Sequence, residues 1–154
     1  MEKEELKKKY VALAGKYDLP DYAEINQAFE IEKIDTDSDI LLKVIRKIVV
    51  EKIVHSLSFV EMLLNPINTS QMYYSYIKSM DEEDKKFLDE TYKSFFEIST
   101  DSLLREIDYS EKGEAEIIKK VCKAWNERKK GFKRVLSNIN NPKVGEKKER
   151  SYFG

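Results

Sequence analysis

The sequence predicts an all-α protein, a single-domain bundle of about five or six helices with a long central helix. Only five Gly and three Pro interrupt the 154 residues, and Lys, Glu, Leu and Ile are abundant, which is the composition of long helices. Apolar residues recur every three or four positions through most of the chain. With 41% hydrophobic residues, a chain of this length can bury a single core without help from a metal or a disulfide.

The first two helices are predicted within residues 2–29. In the first, from about residue 2 to residue 16, the apolar residues at helical spacing are Leu6, Tyr10, Leu13, Ala14 and Tyr17. In the second, we expect Asp18 to be the N-cap and Pro20 to lie where its missing N–H does no harm. The apolar side of this second helix consists of Tyr22, Ile25 and Phe29.

The third helix is predicted over residues 40–64 and is the central, most buried element. The polar residues 35–39 before it are expected to accept hydrogen bonds from its first amides, and their charges suit its positive end. Its apolar residues make a stripe too wide for a surface helix, namely Val44, Ile45, Ile48, Val49, Ile53, Leu57, Val60, Leu63 and Leu64. Pro66 ends the helix, because the residue before a proline is pushed out of helical geometry.

A short fourth helix is predicted over residues 69–79, and the acidic residues 81–84 mark the start of a fifth. The fourth carries Met72, Tyr73, Tyr76 and Ile77, and the fifth carries Phe87, Leu88, Tyr92, Phe95 and Phe96. The fifth helix either continues through the polar residues 99–101 to Ile107 or breaks there, and the sequence favours neither.

Residues 110–113 are predicted to form a turn, followed by a sixth helix that ends at residues 140–142. One stripe at helical spacing runs along this helix, namely Ala115, Ile118, Val121, Cys122, Trp125, Phe132, Val135, Leu136 and Ile139. Residues 1–140 are therefore expected to form the helical domain. Residues 141–154 have too few apolar side chains to join a core, and we expect a basic, flexible tail.

The chain lacks the residue patterns that most enzymes use. It has one histidine and none of the Gly-rich phosphate loops, HExxH pairs or GxSxG turns of nucleotide, metal or nucleophilic chemistry. His55 has partly apolar neighbours on the third helix and no Asp, Glu or Cys at ligand spacing, so it is interpreted as structural rather than catalytic. We therefore expect a protein that is not an enzyme and that holds no cofactor.

Neither the single cysteine nor the acidic clusters predict a reactive or metal site. Cys122 excludes an internal disulfide and lies on the apolar stripe of the sixth helix, so we expect a buried thiol rather than a redox sensor. Residues 35–39 alternate as calcium loops do, but they lack the central glycine and the distal glutamate of such a loop. Capping of helix N-termini is the preferred interpretation of both acidic clusters.

The sequence predicts a cytoplasmic protein with no membrane association. The N-terminal residues MEKEELKKKY lack the apolar core of a signal peptide, and no stretch approaches the roughly 20 apolar residues that cross a bilayer.

Charge is distributed unevenly along the chain. Residues 1–118 hold 16 Lys and Arg against 26 Asp and Glu, whereas residues 119–154 hold 12 against 3. The candidate basic site consists of Lys119, Lys120, Lys123, Lys130, Lys133 and Arg134 on the sixth helix and Lys147, Lys148 and Arg150 in the tail. Four of these share the side of the helix opposite the core stripe: Lys119, Lys123, Lys130 and Arg134.

A basic helix followed by a basic tail is typical of proteins that track a phosphate backbone. The first functional hypothesis is therefore a non-enzymatic interaction module whose acidic partner is RNA, DNA or a ribonucleoprotein. The competing interpretation is a solvated face whose lysines pair with acidic helices of the same molecule or of a partner, as charged surfaces usually do.

Aromatic residues predict a second kind of partner. Tyr152 and Phe153 follow a charged linker, as in a short peptide that docks into a groove. The fourth helix also has more large side chains than one buried face needs, so some of them either pack in the core or lie in an interface. The alternative hypothesis is a protein-binding adaptor or a homo-oligomeric subunit, and the sequence leaves the oligomeric state open.

Overall fold

The computed structural model describes residues 2–34, 39–67 and 69–141, and of Glu2 it describes the backbone only. Six α-helices follow one another in these ranges: α1 Glu2–Tyr17, α2 Tyr22–Phe29, α3 Leu41–Leu64, α4 Gln71–Ser79, α5 Glu82–Ile107 and α6 Glu111–Asn140. A single 3-10 turn, Ile31–Lys33, follows α2. No strand occurs among the described residues, and the predicted all-α bundle is confirmed.

The three long helices α3, α5 and α6 pack against one another and enclose the core. Near the start of α3, Arg46 contacts Glu114 at the beginning of α6 and Ser102 near the end of α5. Helix α3 is therefore parallel to α6 and antiparallel to α5. The largest fully buried side chains of these three helices are Leu42, Ile45, Ile53, Leu63, Leu88, Phe95, Ile98 and Ile118. The prediction of α3 as the long central helix is confirmed, because 9 of its 24 residues are buried, a larger fraction than in α5 or α6.

Helices α2 and α4 lie on the face formed by α3 and α6. Helix α2 places Phe29 against Trp125, with 6.4 Å between the ring centroids. Helix α4 places Tyr73 against Phe59, with 6.1 Å between the ring centroids. Phe59 and Trp125 line one depression of the α3–α6 face, which stays open between α2 and α4.

Side-chain caps fix the starts of the last two helices. The Asp81 carboxylate accepts a 2.8 Å hydrogen bond from the amide of Asp84, and the Ser110 hydroxyl accepts one of 3.0 Å from the amide of Gly113. Helix α5 is continuous through residues 99–101, which answers the question that the sequence left open. Thr100 is accommodated there because its hydroxyl donates to the Glu97 carbonyl, 2.9 Å away within the same helix.

Two sequence-based expectations about helix ends are wrong. Asp18 is not the N-cap of α2; it has φ of 56° and follows the last residue of α1, where the Leu19 amide donates to the Ala14 carbonyl. The N-cap of α2 is Asp21, and that of α3 is Ile40, neither with a side-chain cap. The predicted turn at 110–113 is instead the cap and first turn of α6. Residues 35–38, four of the five that are predicted to cap α3, lie outside the described ranges, and this capping stays a prediction.

A buried polar cluster joins α3, α5 and α6 at one end of the bundle. Arg46 is 2% exposed and donates to Glu114, which is fully buried, through Nε (2.6 Å to Oε2) and Nη2 (3.2 Å to Oε1). Its other donors reach Ser102 Oγ at 3.1 Å and Glu106 Oε1 at 2.8 Å. Burial alone would lower the pKa of Arg46, but the hydrogen bonds that it donates to Glu114 and Glu106 outweigh burial and raise that pKa. The guanidinium therefore stays charged inside the bundle.

A second buried polar cluster joins α4, α5 and α6 at the opposite end. The carboxylate of Asp84 is 1% exposed and accepts hydrogen bonds from Arg134 Nε at 2.8 Å, Tyr76 Oη at 2.9 Å and Asn138 Nδ2 at 3.1 Å. Burial and the hydrogen bond to Asp84 raise the pKa of the Tyr76 hydroxyl far above its ordinary range. Helix α4 is thus held to the bundle by a polar contact as well as by packing.

Candidate binding surface on helix α6

Two of the predicted basic residues are held by acidic side chains of helix α5. Lys120 Nζ lies 2.8 Å from Asp101 Oδ2 and 2.5 Å from Glu97 Oε1, and these hydrogen bonds raise its pKa. Arg134 is bound by Asp84 and, through Nη1, by Glu83 Oε1 at 3.1 Å. These two cations therefore stabilise the packing of α5 on α6 and offer little charge to a partner.

The remaining basic residues of α6 lie along its outer surface. Lys119 pairs with Glu116 one turn earlier, at 3.2 Å. Lys123, Lys130 and Lys133 are exposed and form no ion pair with any residue in the described ranges. Successive helix positions are about 100° apart, so these four lysines fall within a sector of roughly 80°. The structure thus gathers part of the predicted site into one narrow cationic strip.

The predicted site residues of the tail lie outside the described residues. These are Lys147, Lys148 and Arg150 of the basic set and Tyr152 and Phe153 of the docking peptide.

An open apolar depression beside this strip is the feature that sequence reasoning missed. We call it the α6 groove; its volume is about 280 Å³, and it is lined by His55, Ser56, Phe59, Trp125, Phe132 and Leu136. The first three residues come from α3 and the last three from α6, in the stretch left open between α2 and α4. Leu136 keeps 46% of its surface exposed there. No carboxylate stands among the lining residues.

Trp125 is fixed as one wall of the groove by contacts on several sides. Its ring stacks on Phe132 with 5.9 Å between centroids, and Lys52 Nζ lies 4.4 Å from its centroid. Lys52 also donates a 2.6 Å hydrogen bond to the Ala28 carbonyl, which ties α3 to α2. Burial lowers the pKa of this lysine, and the charge of Glu30 opposes that shift. The indole is therefore packed rather than free to swing.

Lysine side chains border the apolar floor on the α6 side. Lys129 is four residues after Trp125 and three before Phe132, so it rises from the same face of the helix as the floor. Lys133 follows one turn later, and both are exposed. The Lys129 ammonium makes a 3.4 Å contact with Asn126 Oδ1. The sequence signal for this rim was the placement of Lys129 within the apolar stripe itself.

His55 lies at the edge of the groove and is exposed. The residues that the structure describes contain no group of three His, Cys, Asp or Glu side chains that could hold a metal ion. Cys122 is 6% exposed, as predicted, and burial, with a smaller contribution from the charge of Glu24, raises the pKa of its thiol to about 12.

A second, larger depression lies between α5 and α6. Its volume is about 650 Å³, and its charged lining residues are Asp101, Arg105, Glu116, Lys119, Lys120 and Lys123. Because acidic and basic side chains alternate here and two of the lysines are paired, this depression does not present the single-sign surface that a polyanion needs.

The aromatic residues of α4 divide between core and surface. Tyr76 is 4% exposed, and Tyr73 packs on Phe59. Met72 is 80% exposed and Tyr74 is 48% exposed. The core interpretation therefore holds for Tyr73 and Tyr76, whereas a role of the exposed residues in an interface stays a prediction.

In the described ranges, no helix combines the length and the apolar composition required to cross a membrane. Comparison of the chain with protein-family models, with curated proteins and with solved structures finds no match.

Proposed function

We propose that this protein is a non-enzymatic binding module and that its partner is an acidic protein segment seated in the α6 groove. The observation that carries the proposal is the combination of an apolar floor without carboxylates and a rim that bears Lys129 and Lys133. A partner helix with apolar side chains at positions i, i+3 or i+4 and i+7 would bury them on the floor. Its flanking carboxylates would meet the two lysines, which favours acidic over basic partners.

The same geometry supports a protein segment over a nucleic acid. Single-stranded nucleic acids bind by stacking bases on free aromatic faces, but the Trp125 ring already contacts Phe132 and Lys52. A phosphate backbone needs a continuous cationic track, whereas Lys120 and Arg134 are neutralised by carboxylates of α5. Nucleic-acid binding remains the competing outcome of the experiment below.

Trp125 makes the proposal directly measurable, because it is the single tryptophan of the chain and lines the groove. The probe is a synthetic 16-residue amphipathic helical peptide with leucines on one face and glutamates on its flanks. Titration into the protein should shift the Trp125 emission and saturate. A peptide with the same leucines but lysine flanks should bind at least about tenfold more weakly, because like charges face each other at the rim.

Matched variants locate the binding. Lys129→Glu/Lys133→Glu should lower the affinity for the glutamate-flanked peptide at least about tenfold and raise the affinity for the lysine-flanked peptide. Lys8→Glu/Lys112→Glu changes the net charge equally at exposed positions outside the groove and should leave both affinities within about twofold. Binding of neither peptide, or equal effects of the two double variants, would overturn the proposal. So would tight binding of single-stranded RNA or duplex DNA at about 200 mM salt that Lys119→Glu/Lys123→Glu/Lys130→Glu abolishes.

A further inference from the structure

Helix α5 carries an apolar stripe that no described element covers. It consists of Tyr92, Phe96, Leu103 and Ile107, and we call it the α5 stripe. Phe96 is 51%, Leu103 63% and Ile107 83% exposed, while Tyr92 is half-buried and stacks on Phe96 with 6.0 Å between ring centroids. At about 100° per residue the four side chains fall within roughly 60° of the helix surface. They extend over about 23 Å of helix.

The stripe is symmetric in sequence about its centre. Tyr92 precedes the midpoint between Ser99 and Thr100 by as many residues as Ile107 follows it, and the same holds for Phe96 and Leu103. If two such helices cross antiparallel at this midpoint, Tyr92 meets Ile107 of the second copy and Phe96 meets its Leu103. An interface formed by the same patch on both subunits requires this self-complementarity. The small side chains at the midpoint let the two backbones approach.

We infer that the α5 stripe is the interface of a two-fold symmetric homodimer in which α5 packs antiparallel against α5 of a second copy. No charged residue lies on the central line of the stripe between Tyr92 and Ile107. Dimerisation through the stripe therefore buries no charged side chain that would lack a partner. Binding of an unrelated partner does not require this symmetric spacing. Binding of a second copy requires it, because the same four residues must then contact one another across the two-fold axis.

Charges beside the stripe favour the same antiparallel arrangement. Lys93 has 74% of its side chain exposed, flanks the stripe and pairs with Asp89 one turn earlier, and Asp108 directly follows the last residue of the helix. In the antiparallel pair, Lys93 stands opposite position 106 and is within one helical turn of Asp108 of the second copy. A parallel pair would instead align Lys93 with Lys93 and Asp108 with Asp108, which is repulsive.

Helix α3 extends the proposed interface. Lys43 and Lys47 turn toward α5, each with its ammonium 3.9 Å from a carboxylate oxygen of Glu106. Val54 is seven residues after Lys47 and therefore lies on the same side of α3, level with Phe96, and it is 37% exposed. The α6 groove shares no residue with this surface, so the dimer and the proposed peptide binding fail or succeed independently.

Sedimentation equilibrium of the full chain between about 1 and 200 μM tests the inference. The wild type should reach twice the chain mass of 18.1 kDa, and Phe96→Glu and Leu103→Glu should each remain monomeric. Val11→Glu introduces the same charge at an apolar position of α1 that is 53% exposed, and it should dimerise like the wild type. Circular dichroism verifies that each variant is folded. A wild type that is monomeric at every concentration would overturn the inference.

Cross-linking tests the geometry even if a charged variant unfolds. In a Cys122→Ala background, Thr100→Cys lies next to the two-fold axis and should form a disulfide-linked dimer under mild oxidation. Lys93→Cys lies about 10 Å from the axis along the helix, too far from its own copy for a disulfide, and should not cross-link. Cross-linking of both variants to the same extent, or of neither, would contradict the antiparallel arrangement.

Discussion

Arg46 Nε and Glu114 Oε2 are 2.6 Å apart in a place that water does not reach, and they join α3 to α6 across 68 positions of sequence. A buried ion pair of this kind offsets its own desolvation only while both members are present. Glu114→Ala leaves the buried guanidinium with only the partly exposed Glu106 carboxylate as a counter-charge and should lower the free energy of unfolding by up to about 3–5 kcal/mol in urea titrations. Arg46→Met/Glu114→Met should recover part of that loss.

The control for the buried pair is Glu116→Ala on the same helix. Glu116 is exposed and pairs with Lys119 across one turn, so its removal should change the free energy of unfolding by less than about 1 kcal/mol. Equal losses at Glu114 and Glu116 would show that the buried pair has no special role in stability.

Gly131 is buried because the ring of Phe87 lies where a Cβ would stand. Gly131→Ala should therefore cost about 1–3 kcal/mol of stability through overpacking, measured by thermal or urea unfolding. Gly15→Ala in α1 meets no atom within 4 Å and should raise stability by up to about 1 kcal/mol, because alanine is the better helix former. Phe87→Leu/Gly131→Ala should be more stable than the sum of the two single effects. A loss at Gly15 equal to that at Gly131 would contradict this account.

Buried tyrosines should make the protein sensitive to alkali. Burial raises the pKa of Tyr10 and of Tyr76 above the ordinary value of 10.0, so these hydroxyls ionise more easily in the unfolded chain. Their contribution to stability is complete below pH 10 and is lost as the pH rises above it. Urea unfolding at pH 8, 10 and 11 should show that the free energy of unfolding falls less with pH in Tyr76→Phe than in the wild type.

Tyr74→Phe is the comparison for that measurement, because Tyr74 is 48% exposed. The free energy of unfolding of Tyr74→Phe should fall between pH 8 and 11 as much as that of the wild type. At neutral pH, Tyr76→Phe should still cost about 1 kcal/mol, since Asp84 loses one hydrogen-bond donor.

The Cys122 thiol should be nearly inert while the protein is folded. Its pKa of about 12 leaves almost no thiolate at pH 8, and its exposed fraction is 6%. A chromogenic disulfide reagent should label it at least about a hundredfold more slowly in buffer than in 6 M guanidinium chloride. Rapid labelling of the folded protein would show that the thiol is accessible.

Helix positions and the core followed from the sequence because they depend on periodicity. The wide apolar stripe correctly predicts the helix α3, and the acidic residues 81–84 correctly predict the start of α5. Asp81 caps α5, as its place before the helix predicts. Asp18 was misassigned because an aspartate fits the left-handed position after one helix as well as the cap before the next.

The candidate site was harder to predict because it depends on contacts that are distant in the sequence. Lys120 and Arg134 look available on a helical projection, but their carboxylate partners come from α5. Asp84 belongs to a run that looks solvent-exposed, and its burial depends on three donors from α4 and α6. Prediction of the α6 groove would have required the positions of α2 and α4 on the bundle. The periodicity of apolar residues does not contain that information.

Helix α6 supplies one wall of the core and a member of each buried polar cluster. During synthesis α6 leaves the ribosome after the other five described helices, so the Phe95 ring of α5 lacks its stacking contact with Phe132 until then. Arg46 and Asp84 likewise lack their α6 partners, Glu114 and Arg134, until α6 has been made. Closure of the core between the three long helices therefore has to follow the synthesis of α6, the last of the six described helices.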